Sequence, residues 1–290
     1  MRLRFALPAI AVLVTAVAGC GGGTHGALDV GTAEYVALGD SYTAAPGIGS
    51  RDDTNGCFRS ANNYPHLVAK ATGLSLADRS CSSANTTAIS GGQTTLTQHT
   101  APPQADALGP DTKVVTIGIG ANDFNLIRTV IETCVAMART SSSDSPCADA
   151  AATSKTPLTS LLSQLRGRLD GVLDDVRTAA PHARYLVVGY PSIVPASGTC
   201  AQMGLATGDY AFARSVVDGI NKAEVAAAKA AGATYVDTTE ATRGHDICAA
   251  DPWIAGAKAT KKGAPWHPYA EEQAAVAKLV EARIPTSIAP

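Results

Sequence analysis

Little in this chain would grip a nucleic acid. Aromatic residues make up only 5% of it, and 23 Lys plus Arg face 25 Asp plus Glu with no basic run among them. Without a basic patch or stacking platforms, the footprint of nucleic-acid binding is missing. Also missing is any Cys-x-x-Cys pair or His/Cys cluster at zinc-site spacing, so the sequence implies no metal and no cofactor. No internal repeat and no long linker divides residues 33–290, which read as one domain. The apolar run from Phe5 to Val17 falls short of the roughly 20 residues that a membrane span requires.

That run does fit another role. Arg2 and Arg4 precede it, and Val17-Ala18-Gly19 leads directly into Cys20, the pattern of a secretory signal. A cysteine placed straight after small residues resembles a bacterial lipobox. The resemblance implies that residues 1–19 are a lipoprotein signal peptide and that Cys20 is lipidated. Residues 20–32 would then be a Gly-rich tether to the membrane's outer face, with simple cleavage near Cys20 and secretion as the alternative. Of seven cysteines, Cys57, Cys81, Cys134, Cys147, Cys200 and Cys248 remain. An even number on an exported chain implies disulfides, in a connectivity that the sequence alone leaves open.

From residue 33 onward, strand and helix patterns alternate, which predicts a parallel sheet covered on both faces. Strands are expected at Tyr35–Leu38, Leu74–Asp78, Lys113–Ile119, Tyr185–Val188 and Thr234–Val236. A short helix is expected at Asn63–Ala71. Thr156-Pro157 is expected to cap a core-packing helix with apolar residues from Leu158 to Val176. An Ala-rich helix over Asp209–Ala231 closes on Gly232, and a terminal helix runs through about Ala282. Residues 88–112 read as mostly irregular, and 125–156 as an excursion held by a short cystine loop.

Four polar positions, at strand ends or on loops, suit chemistry. Ser41 follows the Tyr35–Leu38 strand through Gly39-Asp40, at the sheet edge where open α/β folds place ligands. By itself the tripeptide also fits a plain turn with Ser41 as a helix N-cap. Asn122 follows the Lys113–Ile119 strand in Gly120-Ala121-Asn122-Asp123, and Cys81-Ser82-Ser83 opens a small polar loop whose amides could point at a ligand. His267, in Ala264-Pro265-Trp266-His267-Pro268, sits on a loop before the last helix.

In this order and at these separations, Gly39-Asp40-Ser41-Tyr42, Cys81-Ser82-Ser83, Gly120-Ala121-Asn122-Asp123 and His267-Pro268 resemble the SGNH (GDSL-type) hydrolases, in particular their secreted actinobacterial esterase and lipase branch. Pro102 to Leu108 resembles that branch too, and the resemblance spans about residues 33 to 284. It implies a three-layer α/β/α fold around a central, mostly parallel five-stranded sheet of flavodoxin-like order. It also implies a serine esterase or lipase hydrolysing acyl esters; apart from the resemblance, a monomer is expected. An O-acetyl esterase acting on glycans, or a non-catalytic binding lipoprotein on the same fold, are the alternatives. Ser41 would be the nucleophile and His267 the general base and acid, with Asn122 and a backbone amide near Ser83 in the oxyanion hole. The family usually has glycine where Ser83 stands, with Gly91 and Gly92 as other possibilities. It commonly has an aspartate three residues before the histidine, where this chain has Ala264. A Ser-His dyad follows, with the histidine oriented by the carbonyl of Ala264 or Pro265, or else by Asp246 or Asp251 from the neighbouring loop. Tyr269 and Glu272 replace the Asn and Gly frequent after His-Pro, which is expected to affect helix packing. The resemblance further implies disulfides Cys57–Cys81, Cys134–Cys147 and Cys200–Cys248.

Overall fold

The computed structural model describes residues 31–288 apart from residue 54. The signal peptide, Cys20 and all of the tether before residue 31 lie outside the described residues. Five strands, β1 (Tyr35–Gly39), β2 (Leu76–Asp78), β3 (Val114–Gly118), β4 (Arg184–Val188) and β5 (Thr234–Val236), form one parallel sheet in the order β2-β1-β3-β4-β5. That order is the flavodoxin-like one, whose chain reversal beside β1 opens a crevice at the carboxyl ends of β1 and β3. Every residue of β1 and β3 is buried, as expected of central strands covered on both faces.

The period of two sorts the strand residues into two cores. Tyr35 and Ala37 of β1, Val114 of β3 and Leu186 of β4 face α2 (Tyr64–Thr72) and the C-terminal helix α5 (Ala270–Glu281). Val36, Leu38, Val115 and Ile117 face the long helices α3 (Leu158–Ala179) and α4 (Tyr210–Ala231), which pack on each other. Leu165, Leu169, Val172 and Val176 of α3 recur at helical spacing and are all buried. Burying each such side chain contributes about 1.5–3 kcal/mol before entropy is counted. Asn63 caps α2, its side chain accepting from the His66 N–H at 3.2 Å, and Gly232 in the left-handed region closes α4.

Residues 88–112 and 125–156 hold more regular structure than their sequences suggest, the latter around the expected Cys134–Cys147 cystine, and the cap of α3 needs correction. Residues 88–112 hold a helical turn (Ala88–Gly91), a two-stranded antiparallel ribbon (Gln93–Thr94 with Thr100–Ala101) and a 3-10 turn at Gln104–Ala107. The 125–156 excursion is largely helical, through a π-helical stretch at Thr129–Cys134 and helices at Val135–Thr140 and Pro146–Ala152. The polar residues and Pro146 hid those helices, which tertiary packing rather than local propensity holds together. In addition, Pro157 occupies the N-cap of α3 with no side-chain bond, so Thr156 supplies none.

Cystines join Cys57 to Cys81, Cys134 to Cys147 and Cys200 to Cys248. The first ties the loop after β1 to the loop after β2. The Ser82 N–H also donates to Cys57 O at 2.9 Å. A disulfide typically stabilises by about 2–4 kcal/mol. Reduction with a thiol is therefore expected to lower the melting temperature by about 5 °C or more; an unchanged transition in calorimetry would show that the bridges hold nothing.

Candidate active site

The first turn after β1 is set by a cap. Asp40 is the N-cap of a four-residue helix, α1 (Ser41–Ala44), and its Oδ1 accepts the Tyr42 N–H at 2.8 Å. Ser41 is thus the first helical residue rather than the cap, and its own N–H is one of the donors that a helix start leaves without an internal acceptor. The chain can turn so sharply because Gly39 is bare. A Cβ there would lie 2.2 Å from Thr43 Oγ1 and 2.8 Å from Gly118 O. The side-chain amide of Gln104 brackets the same residue, donating to Gly39 O at 3.0 Å and accepting from its N–H at 2.8 Å.

The loop after β2 runs beside this turn, its Arg79 and Cys81 amides donating to Ala37 O and Gly39 O at 2.8 and 3.0 Å. Ser83 then takes φ 66°, in the left-handed region. That conformation accounts for a glycine preference at this position and costs a residue with a Cβ about 1–2 kcal/mol. The Ser82 and Ala84 amides are engaged by Cys57 O and Cys81 O, whereas the Ser83 N–H has no acceptor among the described residues. Asn122 follows β3, and one hydrogen of its carboxamide goes to Ala84 O at 2.8 Å, which leaves the other available. Asp123, fully buried, holds the two loops together: it accepts from Thr86 N and Thr86 Oγ1 at 2.9 and 2.6 Å and from Arg168 at 2.7 Å.

His267 reaches the site from the far end of the chain. Its Nδ1 lies 2.7 Å from Pro265 O. A carbonyl can only accept, so Nδ1 carries the hydrogen and Nε2 presents its lone pair. Of the four candidates for orienting the ring, the structure therefore pairs it with Pro265. Asp251 instead contacts Lys261 at 2.9 Å, and Asp246 accepts the Cys248 N–H at 2.8 Å. The histidine loop is pinned by Ala255 N–H to His267 O at 2.9 Å and by the Tyr42 hydroxyl donating to Trp266 O at 3.0 Å. Trp266 itself sits at φ 65°, strain concentrated next to the histidine. Tyr269 packs 1% exposed with its hydroxyl on the Thr260 N–H, and Glu272 is buried against Gln273, so both replacements after His267-Pro268 serve packing.

Ser41, Ser83, Asn122 and His267 line one cleft of about 380 Å³, and Gly91 and Gly92 do not line it. Among the described residues neither Ser41 Oγ nor His267 Nε2 is engaged in a hydrogen bond, so both are free to meet a ligand. Burial of the imidazole lowers its pKa below the ordinary value, against the opposing pull of Pro265 O. Asp40 goes the other way: burial pushes its carboxyl up to about 7, with the Tyr190 hydroxyl and the Tyr42 amide resisting and the charge of Asp123 adding to the rise. Three contributors were not singled out from sequence: Gln104, Asp123 and Tyr190. Each stands in a stretch that invited the question, namely Pro102 to Leu108, the residue after Asn122, and Gly189-Tyr190-Pro191 at the end of β4. Among the described residues no group of three His, Cys, Asp or Glu is arranged to hold a metal ion.

The profile of the GDSL-like lipase/acylhydrolase family matches residues 37–275. The chain belongs to that family. Lipase 2 of Streptomyces coelicolor is 39% identical over 224 residues, covering 76% of this chain and 74% of that protein. The lipase of Streptomyces rimosus is 31% identical over 223 residues, covering 76% and 75%. Among solved structures, phospholipase A1 from Streptomyces albidoflavus is similar with a TM-score of 0.66 at 28% identity, over 87% of this chain and all of that one. The extracellular lipase of S. rimosus is similar with a TM-score of 0.70 at 28% identity, over 86% and 99%. As a GDSL-like acylhydrolase the protein is a carboxylic ester hydrolase.

Two outcomes are expected of this cleft. Ser83→Gly should relieve the left-handed strain and raise stability by about 1 kcal/mol in urea denaturation; destabilisation would contradict the strain. If neutral His267 is the working base, kcat/KM should fall on the acid side with its midpoint below pH 6.5, the direction set by imidazole burial. A midpoint above 6.5 would oppose that assignment.

Proposed function

We propose that the cleft hydrolyses acyl esters through a Ser41-His267 dyad and an acyl-enzyme. The observation that carries this reading is the convergence of Ser41, Asn122, Ser83 and His267 on one cleft, with His267 Nδ1 held by Pro265 O. His267 Nε2 takes the Ser41 hydroxyl proton as Oγ bonds to the ester carbonyl carbon. The oxygen of that carbonyl becomes an anion facing the N–H groups of Ser41 and Ser83 and the free carboxamide hydrogen of Asn122. Collapse breaks the bond to the alcohol, which leaves with the proton from Nε2. Water then repeats the sequence on the acyl-serine, giving its proton to Nε2, and releases the acid with Ser41 restored.

Leu96, Ile127, Ile131 and Trp266 add apolar walls to the cleft, which supports an acyl chain as the bound group in preference to a glycan. Lipases and a phospholipase among the similar proteins point the same way. The extracellular S. rimosus lipase supports export, and the Val17-Ala18-Gly19-Cys20 pattern supports attachment through a lipid on Cys20. Residues 33–290 would then be the hydrolase domain. Among the described residues no helix is long and apolar enough to cross a membrane.

Treatment of the purified protein with a fluorophosphonate probe is expected to label it, with labelling abolished in Ser41→Ala and strongly slowed in His267→Ala. Asn122→Ala should lower kcat on p-nitrophenyl esters about 10²–10³-fold, the usual effect of one lost oxyanion donor. A folded, oxidised preparation that resists the probe would remove the dyad and leave a binding protein on a hydrolase fold.

A further inference from the structure

Tyr190 stands just past the end of β4, 3% exposed, and its polar atoms join pieces of the cleft that the chain delivers separately. The hydroxyl donates to Asp40 Oδ2 at 2.5 Å and accepts the Ala121 N–H at 3.0 Å. Asp40 immediately precedes Ser41, and Ala121 immediately precedes Asn122. The other carboxylate oxygen of Asp40 is committed to the Tyr42 N–H at the start of α1. The tyrosine cannot drift, because the side-chain amide of Asn221 on α4 clamps its backbone on both sides, at 2.9 Å each. Its ring also meets Tyr42 edge-on at 5.4 Å.

We propose that Tyr190 is a positioning residue that sets the spacing between the Ser41 amide and the Asn122 carboxamide, the two oxyanion donors carried by β1 and β3. The proposal rests on the assignment of Ser41 and Asn122 made above. A phenol has one proton to give. With that proton on Asp40, its oxygen is free to accept from Ala121, so one group bridges an acceptor on the serine's turn and a donor on the asparagine's. Side-chain substitutes without the hydroxyl leave the Asp40 carboxyl and the Ala121 amide buried without that partner, and the two turns lose their common reference. Placement errors of about 1 Å in such sites cost on the order of 10²-fold in rate.

The electrostatic surroundings suit a donor here. The titratable groups that influence the Asp40 carboxyl or are influenced by it are Tyr42 on α1, Asp123 after β3, Tyr190 and, on α4, Glu224. Neither carboxyl oxygen of Glu224 has a hydrogen-bond partner among the described residues, and burial followed by the charge of Asp40 drives its pKa well up. No cation appears among these groups, so the Tyr190 hydroxyl is the largest influence favouring the ionised form of Asp40.

The test is kinetic, on the full chain with Tyr190→Phe, Asn122→Ala and the double variant, using a p-nitrophenyl ester and an alkyl trifluoromethyl ketone. The ketone's carbonyl adds Ser41 Oγ and leaves an oxyanion in the same place as the ester's. Tyr190→Phe is expected to lower kcat about 10- to 100-fold with KM within about twofold, and to raise the ketone's inhibition constant by a comparable factor. In the Asn122→Ala background the same change should cost less than about threefold, because the donor it positions is gone. A loss of kcat under twofold, or full multiplication of the two effects, overturns the proposal, as does a loss seen in KM alone. If Tyr190→Phe folds poorly, Asp40→Asn replaces the hydroxyl's carboxylate acceptor with a neutral carboxamide at constant volume and should lower kcat in the same direction with KM held; an unchanged kcat also overturns it. A wild type whose ester turnover survives Ser41→Ala overturns the underlying assignment and the proposal with it. Turnover lost in Ser41→Ala but untouched in Tyr190→Phe overturns the proposal alone.

Discussion

The pairing of β1 with β3 is the constraint on which the cleft depends. Gly39 lies opposite Gly118 at the end of a five-residue parallel register. A slip of one residue would turn Val36 and Leu38 to the wrong core, so the hydrophobic alternation fixes the register. From that fixed line, Ser41 is two residues on and Asn122 four. Both glycines are needed bare: Thr43 Oγ1 lies 2.2 and 2.8 Å from where their Cβ atoms would be. The helix start that presents Ser41 is folded directly onto the strand ends because nothing projects from them.

Around that line, buried polar groups do the fastening. Gln104 completes the hydrogen bonding of Gly39, Asp123 binds the Ser83 loop to the Asn122 loop through Thr86, and Tyr190 links Asp40 to Ala121. Several of these groups sit uneasily in low dielectric. Burial pushes Asp40 up to about 7 and Glu272 up to about 8, from 3.8 and 4.5. Between the unfolded and folded values the folded chain holds more protons, so these two groups favour the folded state less as pH rises through that window. The site's geometry is maintained at some cost in stability, as is common where function and packing compete.

Much of this was legible in the sequence because it is repetitive physics. Apolar runs at Tyr35–Leu38 and Lys113–Ile119 mark central parallel strands, and the Leu158-to-Val176 spacing marks a helix packed on one face. The motif residues Ser41, Asn122 and His267 are recognisable as strand-end or loop chemistry once they occur in order. The helices within 125–156 were not legible, since a π-helical turn, two left-handed residues at Phe124 and Asn125 and a Ser-rich break blur the 3.6-residue period. Nor was the choice among Ala264, Pro265, Asp246 and Asp251: which carbonyl faces Nδ1 depends on the left-handed Trp266 between them. Tyr190 and Asp123 carried no periodicity at all, because their roles exist only between segments brought together by the sheet.

The long reach of the contacts around Tyr42 has a consequence for how the enzyme comes into being. Tyr42 donates to Trp266 O, and Tyr42 O and the Tyr64 N–H are both held by Gln273, across more than 200 residues of chain. A nascent or proteolysed polypeptide that stops short of Trp266 holds the serine and the asparagine but neither the imidazole nor the struts that brace the serine's helix. Under the proposed dyad, ester cleavage therefore waits for the C-terminal segment, and a chain that lacks it carries a serine without its base.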